Sequence, residues 1–438
     1  MLRHAPALPR VGAKILDRKG ELGFKSILRG ARVTSIIERL TGLQGKGQGP
    51  AFLVASGHAA THWIIGTFYV LLPYITAELG LTYAQAGGLV SVFHAAAFAA
   101  NAGSGAVVDI RGRRVLVQSA ALVAGAASLM AMGLADRALW LIPLVVLIGV
   151  TNNLWHPAAI SYLSKRYPGN RGYALSIHTL GASLGDVVAP VAAGAALLWL
   201  SWQGVSSLMS LPVFGVAALL LLTLNALDRE ESRGAGAGSG LGEYFRGVAA
   251  LVRNRAVIGL CAMAGFRSMT QSGLLVFLPL YLADVLKVSP VVLGVALMSM
   301  QLGGMIAGPV AGVASDRIGR QPVTFLCLSA ATVMIAALTF VEGIVAFVAV
   351  VSVLGLALFA VRPVIHSWAL DLAPGNMSGS VVSLLFGTQS ALSALVPVLG
   401  GLIADQWGLR SVFYVLAATM LIANVLVYFQ AHKGRAPG

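Results

Sequence analysis

The chain consists of long apolar stretches separated by short polar gaps. A helix of about 20 apolar residues is long enough to cross the hydrocarbon core of a bilayer. Judged by that length, the pattern predicts twelve membrane-spanning helices. The predicted spans cover residues 52–75, 84–108, 115–135, 138–164, 172–199, 204–226, 256–282, 290–314, 321–341, 343–370, 378–404 and 409–430.

The composition agrees with this pattern. Hydrophobic residues make up 57% of the chain and charged residues 11%, whereas an ordinary soluble domain is about 25% charged. A soluble protein of 438 residues could not bury this much apolar surface, but a bilayer is itself an apolar solvent. The composition therefore predicts an all-α membrane protein surrounded by lipid, and it excludes a soluble enzyme.

The basic residues behind the net charge of +14 are placed along the chain in a pattern that indicates membrane topology. Ten of the thirty Lys and Arg residues precede residue 50, and most of the others lie in short gaps between apolar runs. This distribution is typical of the positive-inside rule and not of a nucleic-acid-binding surface. It predicts an inner-membrane protein with both termini in the cytoplasm. The basic loop residues that set this orientation are Arg111, Arg113, Arg114, Lys165, Arg166, Arg171, Arg317 and Arg320.

Polar stretches divide the chain into five parts. They are a basic N-terminal segment (1–50), a six-helix bundle (51–227), a Gly-rich cytoplasmic linker (228–255), a second six-helix bundle (256–431) and a tail (432–438). Apolar residues recur among Lys and Arg in the N-terminal segment, which favours either an amphipathic helix on the anionic leaflet or a disordered basic tail. Residues 1–50 are basic and lack an apolar core segment, so we expect no cleavable signal peptide.

The two bundles repeat each other in sequence. The motif Gly105-x-x-x-Asp109-x-x-Gly112-Arg113 recurs as Gly312-x-x-x-Asp316-x-x-Gly319-Arg320, an offset of 312 − 105 = 207. Prolines recur at nearly the same offset: Pro73 and Pro279 (206), Pro157 and Pro363 (206), Pro190 and Pro397 (207). Two six-helix repeats with the same orientation require a pseudo-two-fold axis along the membrane normal.

The paired loops resemble the signature loop of the major facilitator superfamily, and the resemblance covers all twelve predicted spans. It implies the major facilitator fold, with these loops on the cytoplasmic side after helices 2 and 8. We expect each loop to act as a conformational latch, because glycine allows helices to approach closely and the Asp can pair with Arg or cap a helix. The latch residues are Gly105, Asp109, Gly112, Arg113, Gly312, Asp316, Gly319 and Arg320.

Three further motifs are Leu154-Trp155-His156-Pro157, Gly172-x-x-x-Ser176-Ile177 and Leu372-Ala-Pro-Gly. They resemble the fosmidomycin-resistance branch of drug exporters, which carries His-x-x-x-Asp in helix 1 and a basic residue in helix 7. This chain has His58-Ala-Ala-Thr-His62 and Arg267 at those places, so a histidine replaces the acid. The antiporter motif of helix 5 matches only in part, as Ala189-Pro190-Val-Ala-Ala193-Gly194.

Ionisable residues inside a membrane cost about 2.5–3.5 kcal/mol each, so they should face a cavity or a partner. In the resembled superfamily the cavity is lined chiefly by helices 1, 4, 7 and 10. This implies a substrate-binding set of His58, His156, Arg267, Arg362 and His366. His62 and Asp186 are interpreted as the proton-coupling residues. His94 and His178 are expected to be neutral imidazoles bonded to neighbouring helices.

Other chemistry is not indicated. The chain has no Walker loop, so ATP drive is not supported, and it has no nucleophile elbow, so no enzyme or cofactor is expected. Cys261 and Cys327 lie in apolar runs without disulfide or zinc spacing. The His-x-x-x-His of helix 1 has the spacing of metal ligands on a helix, but neither an acid nor a cysteine joins it locally, so we expect no metal site.

The resulting hypothesis is proton-coupled transport, by alternating access, of a small organic anion or an amphiphilic drug. Export as its direction is implied by the family resemblance alone. The expected partners are a small-molecule substrate, protons and the bilayer, with no nucleic acid and no second protomer. Two alternatives stay open: transport of a metal ion or chelate through the histidines of helix 1, and a transporter-like sensor or membrane-complex component.

Overall fold

The computed structural model describes residues 45–111, 113–232, 251–373 and 378–430. Within this part of the chain the backbone forms thirteen α-helices and no strand. The helices are α1 (Gly45–Glu78), α2 (Tyr83–Arg111), α3 (Arg114–Met132), α4 (Ala138–Arg166), α5 (Arg171–Ala196), α6 (Trp202–Ser232), α7 (Arg255–Asp284), α8 (Pro290–Ile318), α9 (Arg320–Leu338), α10 (Ile344–Asp371), α11 (Ser378–Ser393), α12 (Val396–Trp407) and α13 (Leu409–Tyr428).

The eleventh predicted span is divided into α11 and α12, so the thirteen helices make twelve passes. Pro397 lies in the first turn of α12. Proline lacks a backbone N–H, and its ring collides with the preceding helical turn, so the helix is interrupted at Ala394 and Leu395. The prediction of an all-α membrane fold with twelve spanning helices is confirmed.

The surface of the helices suits an apolar surrounding. Nine of the spans in the described residues are long and apolar enough to cross a membrane on length and composition alone. The other three, α1, α2 and α7, carry intramembrane histidines or Arg267, which lower their hydropathy. Large apolar side chains such as Leu222 and Leu326 project outward and are 82% and 68% exposed, as lipid-facing residues are.

Two helix limits differ from the predicted domain boundaries. Helix α1 begins at Gly45, before the predicted end of the N-terminal segment, and α6 continues to Ser232, beyond the predicted start of the linker. The pattern of contacts places a division between Gly49 and Pro50. Of the part before this division only 45–49, the start of α1, is described. The expected amphipathic helix and most of the linker lie outside the described residues, as does the tail.

The helix contacts within residues 50–438 follow the sequence repeat. In the first half α2 and α3 both pack on α4, and α3 also packs on α6. In the second half α8 and α9 both pack on α10, and α9 also packs on α13. The halves meet each other through α5 with α8, and through α2 with α11 and α12. These paired contacts are those of two pseudo-symmetric bundles.

Glycine makes the tightest helix pairs possible at equivalent positions of the two halves. A Cβ at Gly149 of α4 would overlap the carbonyl group of Phe93, and a Cβ at Gly355 of α10 would overlap that of Met300. The offsets are 355 − 149 = 206 and 300 − 93 = 207. Only glycine allows the backbones to approach this closely, so the repeat conserves a packing contact as well as a motif.

Asp228 was expected in the linker, but it is a buried part of the first bundle. Its carboxylate accepts a hydrogen bond from the backbone N–H of Val115 at 2.9 Å and lies 3.4 Å from Nη1 of Arg114. The carboxylate thus satisfies a free N–H group at the start of α3 and balances the charge beside it. These two contacts explain why α6 continues through the charged sequence after Asp228.

Candidate functional site

A cavity of about 760 Å³ lies between the two halves. Helices α1, α2, α4 and α5 of the first half and α7, α8, α10 and α11 of the second half contribute to its wall. Most of the wall is apolar. Its histidine, acidic and basic residues are His62, His94, His156, Asp186 and Arg362, and Tyr69 adds a phenol.

The halves are joined at one end of this cavity. We call the end where α1 stops and α2 begins the Tyr83 end, and the end where α4 stops the Arg166 end. At the Tyr83 end, the carboxylate of Asp405 on α12 accepts hydrogen bonds from the backbone N–H groups of Tyr83 at 2.8 Å and Ala84 at 3.0 Å. The Tyr83 hydroxyl donates to Asp284 of α7 at 3.1 Å. The second half therefore caps the first turn of α2.

Glycines bring the backbones of the two halves into contact beside this cap. Gly87 of α2 lies against the carbonyl group of Pro397, and Gly294 of α8 lies against that of Pro190. Both pairs obey the repeat, since 294 − 87 = 207 and 397 − 190 = 207. A Cβ at either glycine would overlap a carbonyl oxygen. Glycine at both positions is thus required for the closed Tyr83 end.

Away from this closure, the cavity extends toward the Arg166 end. Ser161 of α4 and Ser383 of α11 belong to its wall there. The polar groups of the wall come from both halves of the protein. They lie between the closed Tyr83 end and the wall near Ser161 and Ser383.

His62 and Asp186 form a polar contact between α1 and α5 in the cavity wall. Nδ1 of His62 on α1 lies 2.8 Å from Oδ1 of Asp186 on α5. Their side chains are 19% and 17% exposed, so the pair is neither sealed in the protein nor fully solvated. The two residues predicted to couple protons are therefore hydrogen-bonded partners that both face the cavity.

His58 and His156 form a second contact next to this pair. Nε2 of His58 lies 3.2 Å from Nε2 of His156. Nδ1 of His58 lies 2.7 Å from the carbonyl oxygen of His178, and Nδ1 of His156 lies 2.7 Å from that of Asn152. His156 lines the cavity, and His58 does not. The histidines of α1 and α4 are thus joined in one cluster with His62.

The second half contributes arginine to the same region. Arg362 of α10 lines the cavity, and its guanidinium lies 5.2 Å from the centre of the Phe359 ring. In the part of the chain that the structure describes, Arg362 makes no ion pair within 4 Å. Arg267 of α7 is buried and donates from Nη2 to the carbonyl oxygen of Leu358 at 2.8 Å. Of the two predicted arginines, Arg362 is the one in the cavity wall.

The remaining histidines of the spans have other surroundings. Nε2 of His94 lies 2.9 Å from the Ser272 hydroxyl on α7, which is a contact to a neighbouring helix. Nδ1 of buried His178 has no hydrogen-bond partner among the described residues, and its ring instead stacks on His58 with 3.9 Å between centres. His366 is outside the cavity wall, and its ring packs on Phe386.

Several uncharged polar residues of the wall were not predicted. They are Asn101, Asn152, Asn153, Gln271 and Gln301. One signal was present: Gln271 follows Arg267 by one helical turn, so the two share a face of α7. Amides in an apolar span are a weaker sequence signal than ions, because their insertion costs less.

The predicted latch is described mainly in the second half. Arg320 donates from Nε to Asp371 of α10 at 2.9 Å, and its Nη1 hydrogen-bonds Asp316 of α8. Gly319 has a φ of +102°, a conformation that favours glycine. A Cβ at Gly312 would meet nothing within 4 Å. In this conformation the positive φ requires glycine at position 319. At Gly312 no neighbouring helix comes close enough to require glycine.

In the first half, the surroundings of Gly105, the side chain of Asp109 and the whole of Gly112 lie outside the described residues. Arg113 is exposed and precedes α3 without capping it through its side chain. Among the described residues, the next residue, Arg114, forms an ion pair with Asp228.

Comparison with known proteins adds three kinds of similarity. The family model described as Major Facilitator Superfamily matches residues 54–281 and 260–438. Multidrug efflux pump Tap of Mycolicibacterium fortuitum is 24% identical over 346 residues, which are 74% of this chain and 82% of that protein. Multidrug resistance protein MdtG of Citrobacter koseri is 24% identical over 383 residues, which are 83% and 90% of the two chains.

Solved structures share the fold. A bacterial homolog to the human lysosomal transporter Spinster, in an inward-facing and unoccupied conformation, superposes with a TM-score of 0.72 at 17% identity, covering 89% of this chain and 98% of that one. The nucleoside transporter NupG gives a TM-score of 0.72 at 13% identity, covering 88% and 100%.

The closure at the Tyr83 end predicts different effects for two neighbouring glycines. Gly87→Ala would place a Cβ on the Pro397 carbonyl, whereas a Cβ at Gly88 would lie an ordinary 3.8 Å from Val398. Gly87→Ala should therefore destabilise the closed end and Gly88→Ala should not. A cysteine at cavity residue Leu297, in a background without native cysteines, reports access to an impermeant maleimide from the Tyr83 side.

We expect Gly87→Ala to raise the labelling rate about tenfold, as a shift of ~1.4 kcal/mol in a two-state equilibrium would. The rate in Gly88→Ala should match that of the parent. Equal rates in all three proteins would mean that this contact does not close the cavity.

Proposed function

The chain belongs to the major facilitator superfamily, and we propose that it exports a small organic anion or amphiphilic drug by proton-coupled alternating access. It is a multi-pass membrane transporter and not an enzyme. The observation that carries the finer proposal is the distribution of charge in one cavity. A histidine–aspartate pair lies on the first half, and a cationic Arg362 without an ion-pair partner among the described residues lies on the second.

The Arg362 guanidinium is the proposed anion-binding group. Arginine stays charged at physiological pH and binds a carboxylate or phosphonate with two parallel hydrogen bonds. A cation in an apolar surrounding is expensive. Asp186 of the same wall attracts Arg362 from beyond ion-pair distance, and an anionic substrate would supply a direct partner. Arg267 and His366 support this region from outside the cavity wall. A largely apolar wall accommodates the rest of an amphiphilic molecule.

Alternating access requires that the cavity open on one side at a time. Contacts between the halves at the Tyr83 end support a conformation closed there. If both termini are cytoplasmic, as the loop charges indicate, the Arg166 end faces the cytoplasm. The conformation is then the one that loads substrate from inside the cell. The Arg320 latch joins Asp316 and Asp371 within the second half, and a change of this contact accompanies the movement of the halves. The chain acts as a monomer.

Proton coupling is assigned to His62 and Asp186. A proton driven by 100 mV supplies about 2.3 kcal/mol, and its carrier must bind and release it in the working pH range. Histidine is the side chain type best suited to this exchange, because it can both accept and donate a proton at a ring nitrogen. The contact between His62 and Asp186 joins α1 to α5. Protonation changes that contact, and thereby the packing of the two helices.

Similarity supports the substrate class only broadly. Two relatives are named for multidrug efflux or multidrug resistance, which favours a drug-like substrate and export. The motifs around His156 and Gly172 favour the fosmidomycin-resistance branch within this group. That branch would agree with an anionic substrate, since its namesake is a phosphonate.

One observation favours the alternative of metal transport. One ring nitrogen from each of His58, His62 and His156 lies within 4.8 Å of the others. Imidazole is a suitable ligand for Zn²⁺, Cu²⁺ or Ni²⁺. Transport assays should therefore include divalent metals beside organic compounds.

The coupling proposal predicts a specific loss in proteoliposomes. Uptake of labelled organic anions, amphiphilic drugs and divalent metals is measured with and without a pH gradient. At least one organic compound should respond to the gradient. His62→Gln and Asp186→Asn should remove this response while leaving substrate exchange intact, because they remove the proton carrier and not the binding site.

Asp136→Asn is the control for the loss of a carboxylate, since Asp136 is 73% exposed and pairs only with neighbouring Arg137. This variant should retain the gradient response. Gradient-dependent transport that is unchanged in both His62→Gln and Asp186→Asn would contradict the coupling proposal.

The anion proposal predicts that Arg362→Gln removes substrate binding. Arg362→Lys should weaken it by at least about tenfold, because lysine keeps the charge but lacks the two-pronged geometry. Arg267→Gln should weaken binding as well, through the packing of α7 against α10. Binding to purified protein by calorimetry, with competition among anions, measures both effects. Tight binding of cations that survives in Arg362→Gln would contradict the proposal.

A further inference from the structure

Three histidines of the first half present ring nitrogens to one small volume at the edge of the cavity. One ring nitrogen from each of His58 and His62 on α1 and His156 on α4 lies within 4.8 Å of the other two. Nε2 of His58 lies 3.2 Å from Nε2 of His156. Two successive turns of α1 and one turn of α4 thus bring three possible metal ligands together.

Two of these rings are oriented by backbone carbonyl groups. Nδ1 of His58 lies 2.7 Å from the His178 carbonyl oxygen, and Nδ1 of His156 lies 2.7 Å from that of Asn152. A carbonyl oxygen can only accept a hydrogen bond, so both Nδ1 atoms are N–H donors and both neutral rings carry a lone pair on Nε2. The two lone pairs face each other at 3.2 Å, and they repel each other unless a cation lies between them.

The third ring is oriented by a carboxylate. Nδ1 of His62 lies 2.8 Å from Oδ1 of Asp186, an acid 124 residues further along the chain. An ionised carboxylate only accepts hydrogen bonds, so the lone pair of neutral His62 is also on Nε2. Histidines that bind metal ions almost always donate their second N–H to a carboxylate, a backbone carbonyl group or water, which fixes the ring and makes the ligand nitrogen more basic. All three rings have such a partner.

The spacing of the three rings is close to that of a metal site. In a tetrahedral site with Zn–N bonds of about 2.0–2.1 Å, ligand nitrogens lie about 3.3 Å apart. The distance of 3.2 Å between His58 and His156 already matches this value. The ring centres of His62 and His156 are 6.4 Å apart, so His62 is the ring that must approach. Its side chain is 19% exposed at the cavity wall, which leaves room for this movement.

The surroundings balance part of the charge of a divalent ion and leave it accessible. Asp186 supplies one negative charge beside the His62 ring. Arg362 of the second half is in the same wall and opposes a further cation, which favours an anion as an additional ligand. Because His62 and His156 line the cavity, the fourth position of a tetrahedral ion is open to water or to such an anion. Zinc sites that exchange a ligand have this arrangement of three protein ligands and one open position.

We infer that His58, His62 and His156 bind one divalent transition metal ion of the class that prefers imidazole, such as Zn²⁺, through their Nε2 atoms. The inference goes beyond the proposed function, which assigns His62 to proton coupling, and it does not depend on that function. The ion binds here whether it is carried across the membrane or stays in the first half. It ties α1 to α4 and, through Asp186, orders the contact of α1 with α5.

Metal binding to the purified full chain tests this without a transport measurement. The protein, freed of any histidine tag, is placed in nanodiscs of zwitterionic lipid, stripped with a chelator and titrated with Zn²⁺ by calorimetry. We expect one equivalent to bind. Loss of an outer hydrogen-bond partner costs roughly 10–100-fold in metal affinity, and Asp186→Asn should weaken binding within that range. His58→Gln, His62→Gln and His156→Gln should each weaken it more, because each removes a ligand.

His94→Gln is the matched control, because His94 lines the same cavity but lies outside the cluster and contacts Ser272. Its affinity for Zn²⁺ should equal that of the parent. Zn²⁺ should raise the unfolding temperature of both proteins, since a ligand that binds only the folded state stabilises it, and it should not do so in the three ligand variants. Thermal unfolding without metal shows whether each variant is folded.

Co²⁺ gives a second measurement that needs no variant. Bound in place of Zn²⁺, it should show the visible absorption of a tetrahedral ion with nitrogen ligands. A parent protein that binds no stoichiometric Zn²⁺ or Co²⁺, as when His58 and His156 share only a proton, would overturn the inference. So would affinity for Zn²⁺ that is unchanged in the ligand variants, or that falls equally in His94→Gln. Because no transport is measured, these failures are distinguishable from failure of the transport proposal.

Discussion

The cost of an ion in an apolar surrounding is the constraint on which the rest of this structure depends. Each buried or half-buried charge needs an opposite charge, a hydrogen-bond partner or access to the cavity. Asp228 meets this requirement through Arg114 and the start of α3, and Arg267 meets it in part through the Leu358 carbonyl. Arg362 reaches the cavity without an ion-pair partner among the described residues. In the proposed function, an anionic substrate completes this requirement at the site.

The repeat supplies the scaffold and the side chains make its halves different. Pseudo-equivalent glycines pack α4 on α2 and α10 on α8 in the same way. At the paired prolines, however, the first half has His156 and the second has Arg362, each immediately before its proline. Symmetric backbones thus present histidines and a carboxylate to one side of the cavity and a fixed cation to the other. Such a division allows one half to respond to protons while the other holds an anion.

Most of the fold could be predicted from the sequence, because the sequence signals for membrane helices are strong and local. Apolar span length and the offset of about 207 residues fix twelve passes and their arrangement. Sequence singled out the ionisable residues of the spans as site candidates, because ions in apolar spans have few other places to lie. His62, His156, Asp186 and Arg362 line the cavity, whereas His58, Arg267 and His366 lie outside its wall. The sequence did not place Asp228 correctly, since a charged residue after an apolar run is also typical of a linker, and its partner Arg114 is distant in sequence.

Contacts that depend on side-chain direction were out of reach of the sequence. His58 and His62 are one turn apart, yet one ring faces His156 and the other faces Asp186. Helical spacing alone would have assigned them a common partner. The cap that Asp405 provides to Tyr83 joins positions more than 300 residues apart, with an offset unrelated to the repeat. Gly319 of the second latch is explained by its positive φ. The spacing of the motif does not reveal this backbone conformation.

The central claim is that the two halves move against each other when protons bind. Spin labels at Thr82 and Gln406 report the Tyr83 end, and labels at Lys165 and Leu372 report the Arg166 end. Pulsed electron paramagnetic resonance measures the distance between the two labels of each pair. Measurements at about pH 5.5 and about pH 8.5 compare the protein with more and with fewer bound protons. The account predicts opposite changes, with one end shortening as the other lengthens, and no such change in His62→Gln. Distances that stay fixed at both ends, or that change together, would contradict it.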